Sequence, residues 1–95
     1  MPKKFELSIM MFYSNFNQAS LNTREALNEF IRTHNQNFKI EIKEVDYDKE
    51  RNLCQQYGVN GIPVLIVFLN QKLVGQYYGE IASEEFETII QDCLK

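Results

Sequence analysis

Two thiols, one imidazole and a short polar loop are the places in this 95-residue chain where chemistry would have to reside. Cys54 and Cys93 lie far apart, make no C-x-x-C pair and have no metal-ligand spacing, and His34 adds no third ligand. The spacing predicts no metal site and no cofactor. Cys54 falls on the apolar face of a short helical segment, where a thiol behaves as a small hydrophobe. Cys93 belongs to the apolar stripe of the last helical segment, close enough to the end to be reached through fraying. His34 stands at a helix end, as a C-terminal cation or a solvated side chain. Asn17 and Ser20 precede or open a helix and are cap residues by type, while the N–H groups beside them would also suit an anionic group of a partner. Neither is a nucleophile: an amide has no reactive lone pair to offer, and a hydroxyl at Ser20 needs an adjacent base that the sequence does not provide.

The elements that position these residues are bounded by bulk properties. The length predicts a single domain over residues 1–95 with one core. An apolar content of 44% with seven Phe and five Tyr is that of a globular protein. A net charge of −3 with no basic patch argues against nucleic acid. The stretch after Lys3 and Lys4 is broken by Glu6 and Ser8 and is too short for a signal segment or a membrane span, so the expectation is a soluble, cytoplasmic chain with no membrane partner.

Along the chain, Phe5, Leu7, Ile9 and Met11 alternate while Met10 and Phe12 fill the other face, predicting a strand from Lys4 to Tyr13 whose second half is buried on both sides. The loop Ser14 to Gln18 leads to a helix with the stripe Ala26, Leu27, Phe30 and Ile31, capped by Asn17, Ser20 or Asn22 and ended by residues 34–37. Phe38 to Val45 alternates through Ile42, with a charged side that suits a sheet edge. Asp46 and Asp48 are capping candidates for a short helix from Lys49 to Tyr57, which Gly58 terminates. Val64 to Phe68 is a continuous apolar run, a strand buried on both faces, and Pro63 is tolerated at its mouth. A tight hairpin at residues 69–72 leads to the strand Leu73 to Tyr78. Ser83 is read as the cap of a last helix carrying Phe86, Ile89, Ile90, Cys93 and Leu94 at helical spacing. Strand, helix, strand, helix, strand, strand, helix is an α/β order that predicts a mixed four-stranded sheet with helices on both faces. Because the first strand-helix-strand unit is parallel and right-handed, the edge strand lies beside the first.

The stretch Tyr57-Gly58-Val59-Asn60-Gly61-Ile62-Pro63-Val64, with Gly79 after the hairpin, resembles the cis-proline half of the thioredoxin family. Val45-Asp46-Tyr47-Asp48 and Ile9 to Tyr13 extend that resemblance from about Phe5 to Lys95. It implies the minimal thioredoxin fold and a cis Ile62–Pro63 bond. It also locates the departures. Phe16 stands where the family has Trp, Asn17 and Ser20 stand at the two redox cysteines, and Gln18-Ala19 replaces Gly-Pro. Met11 and Glu44 occupy the places of a buried acid and a neighbouring lysine that handle protons. Thioredoxin chemistry requires a low-pKa thiolate and a resolving thiol, so the resemblance implies loss of that chemistry and no catalytic residue.

What the resemblance retains is a groove in which the backbone before the proline pairs with an extended peptide. Phe16, Asn17, Ser20, Gly61, Ile62, Pro63 and Gly79 are its candidate residues. The expected function is a redox-inactive binding or adaptor module for a protein or peptide partner. A divergent thiol-disulfide oxidoreductase using Cys93 or Cys54 is the rival, and a subunit acting through its outer surface is a third reading. The alternating charges Lys39, Glu41 and Lys43 guard the open edge, so a monomer is expected, with only weak edge pairing.

Overall fold

Side-chain alternation and burial account for the sheet. The computed structural model describes residues 5–34 and 38–93. The first strand, β1 (Phe5–Tyr13), sends Leu7, Ile9 and Met11 to one face and Met10 and Phe12 to the other, and all five are buried. There follow α1 (Gln18–His34), β2 (Phe38–Asp46), α2 (Arg51–Gln56), β3 (Val64–Leu69), β4 (Lys72–Tyr78) and α3 (Ser83–Cys93), the order expected. The strands lie in the order β2-β1-β3-β4. β1 runs parallel to β2 and antiparallel to β3, and β4 returns antiparallel along β3. The edges are therefore β2, which carries the exposed Lys39, Glu41 and Lys43, and β4.

The helices divide between the two faces. Leu27 and Phe30 of α1 and Phe86 and Ile90 of α3 pack with Leu7, Ile9, Met11, Leu65 and Val67 in one buried layer, and Ile40 and Ile42 join it from the edge. The second layer gathers Met10, Phe12, Val45, Val64 and Ile66 under Cys54 of α2 and Val59. Val64 to Val67 are consecutive and buried, which requires cover on both faces.

Local chemistry sets the ends of the elements, choosing among the three cap candidates of α1 and correcting the sequence reading at α2 and α3. Asn17, not Asn22, caps α1: its Oδ1 accepts from the Ser20 N–H at 2.8 Å and its carbonyl from the Leu21 N–H at 3.2 Å. Neither Asp46 nor Asp48 caps α2, which starts at Arg51 behind an uncapped Glu50; Asp46 Oδ1 instead closes an Asx turn with the Asp48 N–H at 2.9 Å. Ser83 is the first residue of α3, and Ala82 is the cap position: its N–H donates to Glu85 Oε1 at 3.2 Å, half of a capping box. Gly58 ends α2 at φ +69, with its own N–H bonded to the Gln55 carbonyl and the Val59 N–H to that of Cys54, a Schellman closure that buries Val59 against Cys54. The hairpin turn places Asn70 and Gln71 at positive φ, and Asn70 is tied to β1 through both Glu6 backbone groups. The expectations for Lys4, for residues 35–37 and for Leu94 lie outside the described residues.

Candidate functional site

Strand register brings the two halves of the candidate groove to one end of the sheet. Phe12 pairs with Val64, and Val64 with Tyr78. The chain leaving β1, the chain entering β3 and the chain leaving β4 therefore meet there. Phe16, Asn17 and Ser20 follow β1, Gly61, Ile62 and Pro63 precede β3, and Gly79 follows β4, its N–H donating to the Pro63 carbonyl at 3.0 Å. The Ile62–Pro63 peptide is cis and Gly79 lies at φ +91, a conformation that favours glycine.

In the front half, polar side chains are spent on structure. Ser14, buried, donates to Asp48 Oδ2 at 2.7 Å and accepts from the Phe16 N–H at 3.1 Å. Asn17 is occupied as the helix cap. Ser20 is fully buried, and its Oγ has no hydrogen-bond partner among the described residues. Phe16 is the opposite case, 92% exposed, a ring projecting from the loop with little to rest on. The ring therefore takes no part in the core, and it stands at the end of the sheet where the candidate groove residues meet.

In the back half, the backbone is left available. Pro63 is buried and Ile62 half-buried against the second layer. Among the described residues, the N–H and carbonyl of Ile62 have no hydrogen-bond partner. The loop ahead is steadied by the Tyr47 hydroxyl, which donates to the Asn60 carbonyl at 3.3 Å, while Arg51 stacks over the Tyr47 ring at 4.5 Å. A half-covered residue with free main-chain groups at a sheet end is the arrangement that strand addition uses.

Met11 and Glu44 are register partners across β1 and β2, so the two positions that stand where the family has its buried acid and lysine are neighbours in space. Met11 is fully buried and has no proton to move. Glu44 turns to Arg24 of α1 in a two-pronged ion pair of 2.6 and 2.8 Å, and Arg24 also lies 4.9 Å above the Tyr13 ring. That hydrogen bond and charge hold the Arg24 guanidinium further above its ordinary value. The Ser14–Asp48 and Arg24–Glu44 pairs were not anticipated from sequence. The one available signal was the break in β2, where Lys43 and Glu44 are consecutive polar residues and the apolar phase switches from Ile42 to Val45.

Cys54 is 2% exposed, and burial pushes its thiol above the usual range, the reverse of what a nucleophilic cysteine needs. Cys93 is the last residue of α3, and its side chain lies outside those described. His34 stacks on Phe30 with centroids 4.3 Å apart, and its Nε2 is 3.8 Å from Glu87, well away from the groove on α1's far end. Among the described residues, no group of three or more His, Cys, Asp and Glu could hold a metal ion, and no helix is long and apolar enough to cross a membrane.

With this geometry in place, comparison with known proteins gives a consistent picture. The thioredoxin family profile matches residues 4–92. A thioredoxin of Buchnera aphidicola is 30% identical over 57 residues, which is 60% of this chain and 52% of that one. A Schizosaccharomyces pombe protein described as a protein disulfide-isomerase is 45% identical over 40 residues, 42% of this chain and 8% of its own length. The chain thus spans about half the length of one of these curated relatives and a small part of the other. Among solved structures, thioredoxin-2 of the malaria parasite matches with a TM-score of 0.82 at 18% identity, over 96% of this chain and 86% of that one.

Proposed function

The chain belongs to the thioredoxin family, and we propose that within it the protein is a redox-inactive binding or adaptor module that takes an extended peptide in the groove around Pro63. The observation that carries this reading is the pairing of Asn17 and Ser20 with a groove whose backbone is unspent. At the α1 N-terminus an amide caps the helix and a buried hydroxyl sits behind it, so neither a thiolate nor a resolving thiol is present. The proton-handling positions hold Met11 and an ion-paired Glu44. Across the groove, Ile62 offers one donor and one acceptor to an added strand, and Phe16 offers an aromatic surface to a side chain of that strand. The reading takes the partner as a protein segment met in the cytoplasm by a monomeric chain.

Two measurements test it together. Peptides selected by display against the full chain should perturb the amide resonances of Phe16, Ile62 and Gly79, and Phe16→Ala should weaken binding severalfold. Perturbations confined to the β2 edge at Lys39 to Lys43 would replace the groove by the outer surface as the functional face.

A further inference from the structure

The loop that forms the groove's back wall contains Asn60 followed by Gly61. Both are exposed. Gly61 has no neighbouring atom within 4 Å of the place where a Cβ would stand, and no partner takes its N–H among the described residues. An asparagine side-chain amide is attacked by the backbone nitrogen of the next residue when that nitrogen is free and unshielded, and glycine shields it least because it has no side chain and moves most readily into the required conformation. The described loop supplies each of these conditions in one place. By contrast, Asn70 is followed by Gln71, and its N–H is bound to the Glu6 carbonyl at 2.7 Å while its Oδ1 is bound to the Glu6 N–H at 2.9 Å.

We propose that Asn60 is a self-modification site at which the groove loop deamidates with water as the only co-reactant. The Gly61 nitrogen gives its proton to solvent and bonds to the Asn60 side-chain carbonyl carbon. The carbon–nitrogen bond of the side-chain amide then breaks, and ammonia leaves. Water opens the resulting five-membered imide at either carbonyl, giving aspartate or isoaspartate. The net change is amide plus water to carboxylic acid plus ammonia, with no oxidation or reduction. Both products add a negative charge two residues ahead of Ile62. In the isoaspartate form the main chain also gains one carbon between residues 60 and 61, and the carbonyl that accepts from the Tyr47 hydroxyl becomes part of a pendant carboxylate. The free backbone of Ile62 is then displaced from its present position, so the site acts as an age-dependent switch on the groove. That last consequence rests on the groove reading; the modification does not.

The test is to age the full chain in mildly alkaline buffer and to map it by peptide mass spectrometry with enzymatic detection of isoaspartate. The expected result is a gain of about one dalton at residue 60, appearing before any gain at Asn70 and faster as pH rises. Gly61→Ala, which the open space accommodates, should lengthen the half-time by about an order of magnitude, and Asn60→Gln should abolish the gain. A residue 60 that ages no faster than Asn70, or at the same rate in Gly61→Ala, overturns the proposal. Modification with unchanged affinity of the aged fraction for a display-selected peptide leaves the site standing and removes the groove reading instead.

Discussion

The two loops that meet at the end of the sheet are built on opposite terms. In residues 14–17 two polar side chains are spent within the chain, Ser14 binding Asp48 and Asn17 capping α1, while Asn15 and the Phe16 ring face solvent. In residues 60–63 an exposed Asn60 and Gly61 precede the apolar Ile62 and Pro63, and the backbone is what remains unspent at Ile62. The front loop is thus held by its own side-chain hydrogen bonds, and the back loop by burial of Ile62 and Pro63 and by donors from Tyr47 and Gly79 to its carbonyls. In the family's chemistry the helix N-terminus serves a thiolate; here the Asn17 side-chain amide oxygen accepts from the Ser20 N–H there. A position that loses its reactive atom does not become idle, because its neighbouring backbone donors still require a partner. The back loop keeps the cis Ile62–Pro63 bond and the unpaired main-chain groups of Ile62 among the described residues.

This contrast can be broken most forcefully from below. Phe12 is fully buried in the second layer and pairs with Val64 at the sheet end where both loops begin, so Phe12→Ala should cost about 3–5 kcal/mol and disorder both together, as read by denaturant unfolding. A loss confined to one loop would show that they are independent.

Substitutions within the front loop sharpen the comparison with smaller effects. Asn17→Ala removes a cap and should cost about 1 kcal/mol. Ser20→Ala, three residues on, should be neutral or stabilising by up to about 1 kcal/mol, since it removes a buried hydroxyl without a partner. Opposite signs at the two positions are the expected signature, and equal losses would mean that Ser20 has a partner in solution. Phe16→Ala should change stability by less than about 0.5 kcal/mol, because the ring is exposed, while weakening peptide binding.

How far the sequence discloses this arrangement depends on the range of the interaction. Alternation in β1 and the unbroken apolar run of β3 were readable because each records its own burial. The stop of α2 at Gly58 was readable for the same reason, being a local backbone requirement. The start of α1 was not, since Asn17, Ser20 and Asn22 are all capping types and the choice was made by which one the sheet end presents to the helix. Asp46 and Asp48 misled for a related reason. One closes a turn on its own backbone, and the other is drawn to Ser14, 34 residues away. The groove residues were legible through family resemblance, but the free backbone of Ile62 and the exposure of Phe16 are properties of the fold. For the Arg24–Glu44 pair the break in the alternation of β2 at Lys43 and Glu44 marks the carboxylate but does not name its partner.

The smallest effect concerns that pair. Glu44→Gln should cost about 0.5 kcal/mol or less, because both side chains are roughly a third exposed and solvent screens them, and added salt should shrink the difference further. If the substitution instead created reductase activity or altered peptide binding, the conversion of this proton-handling position into a structural clasp would have to be abandoned.

Disulfide reduction is the most direct measurement of the central claim. The full chain, supplied with a dithiol reductant and an insulin-type disulfide substrate at neutral pH, should turn over no faster than the uncatalysed reaction, and Cys54→Ser with Cys93→Ser should leave that rate unchanged. Turnover above background that disappears in the double variant would mean that a relocated cysteine performs the family's chemistry, and that the protein is an oxidoreductase rather than a binding module.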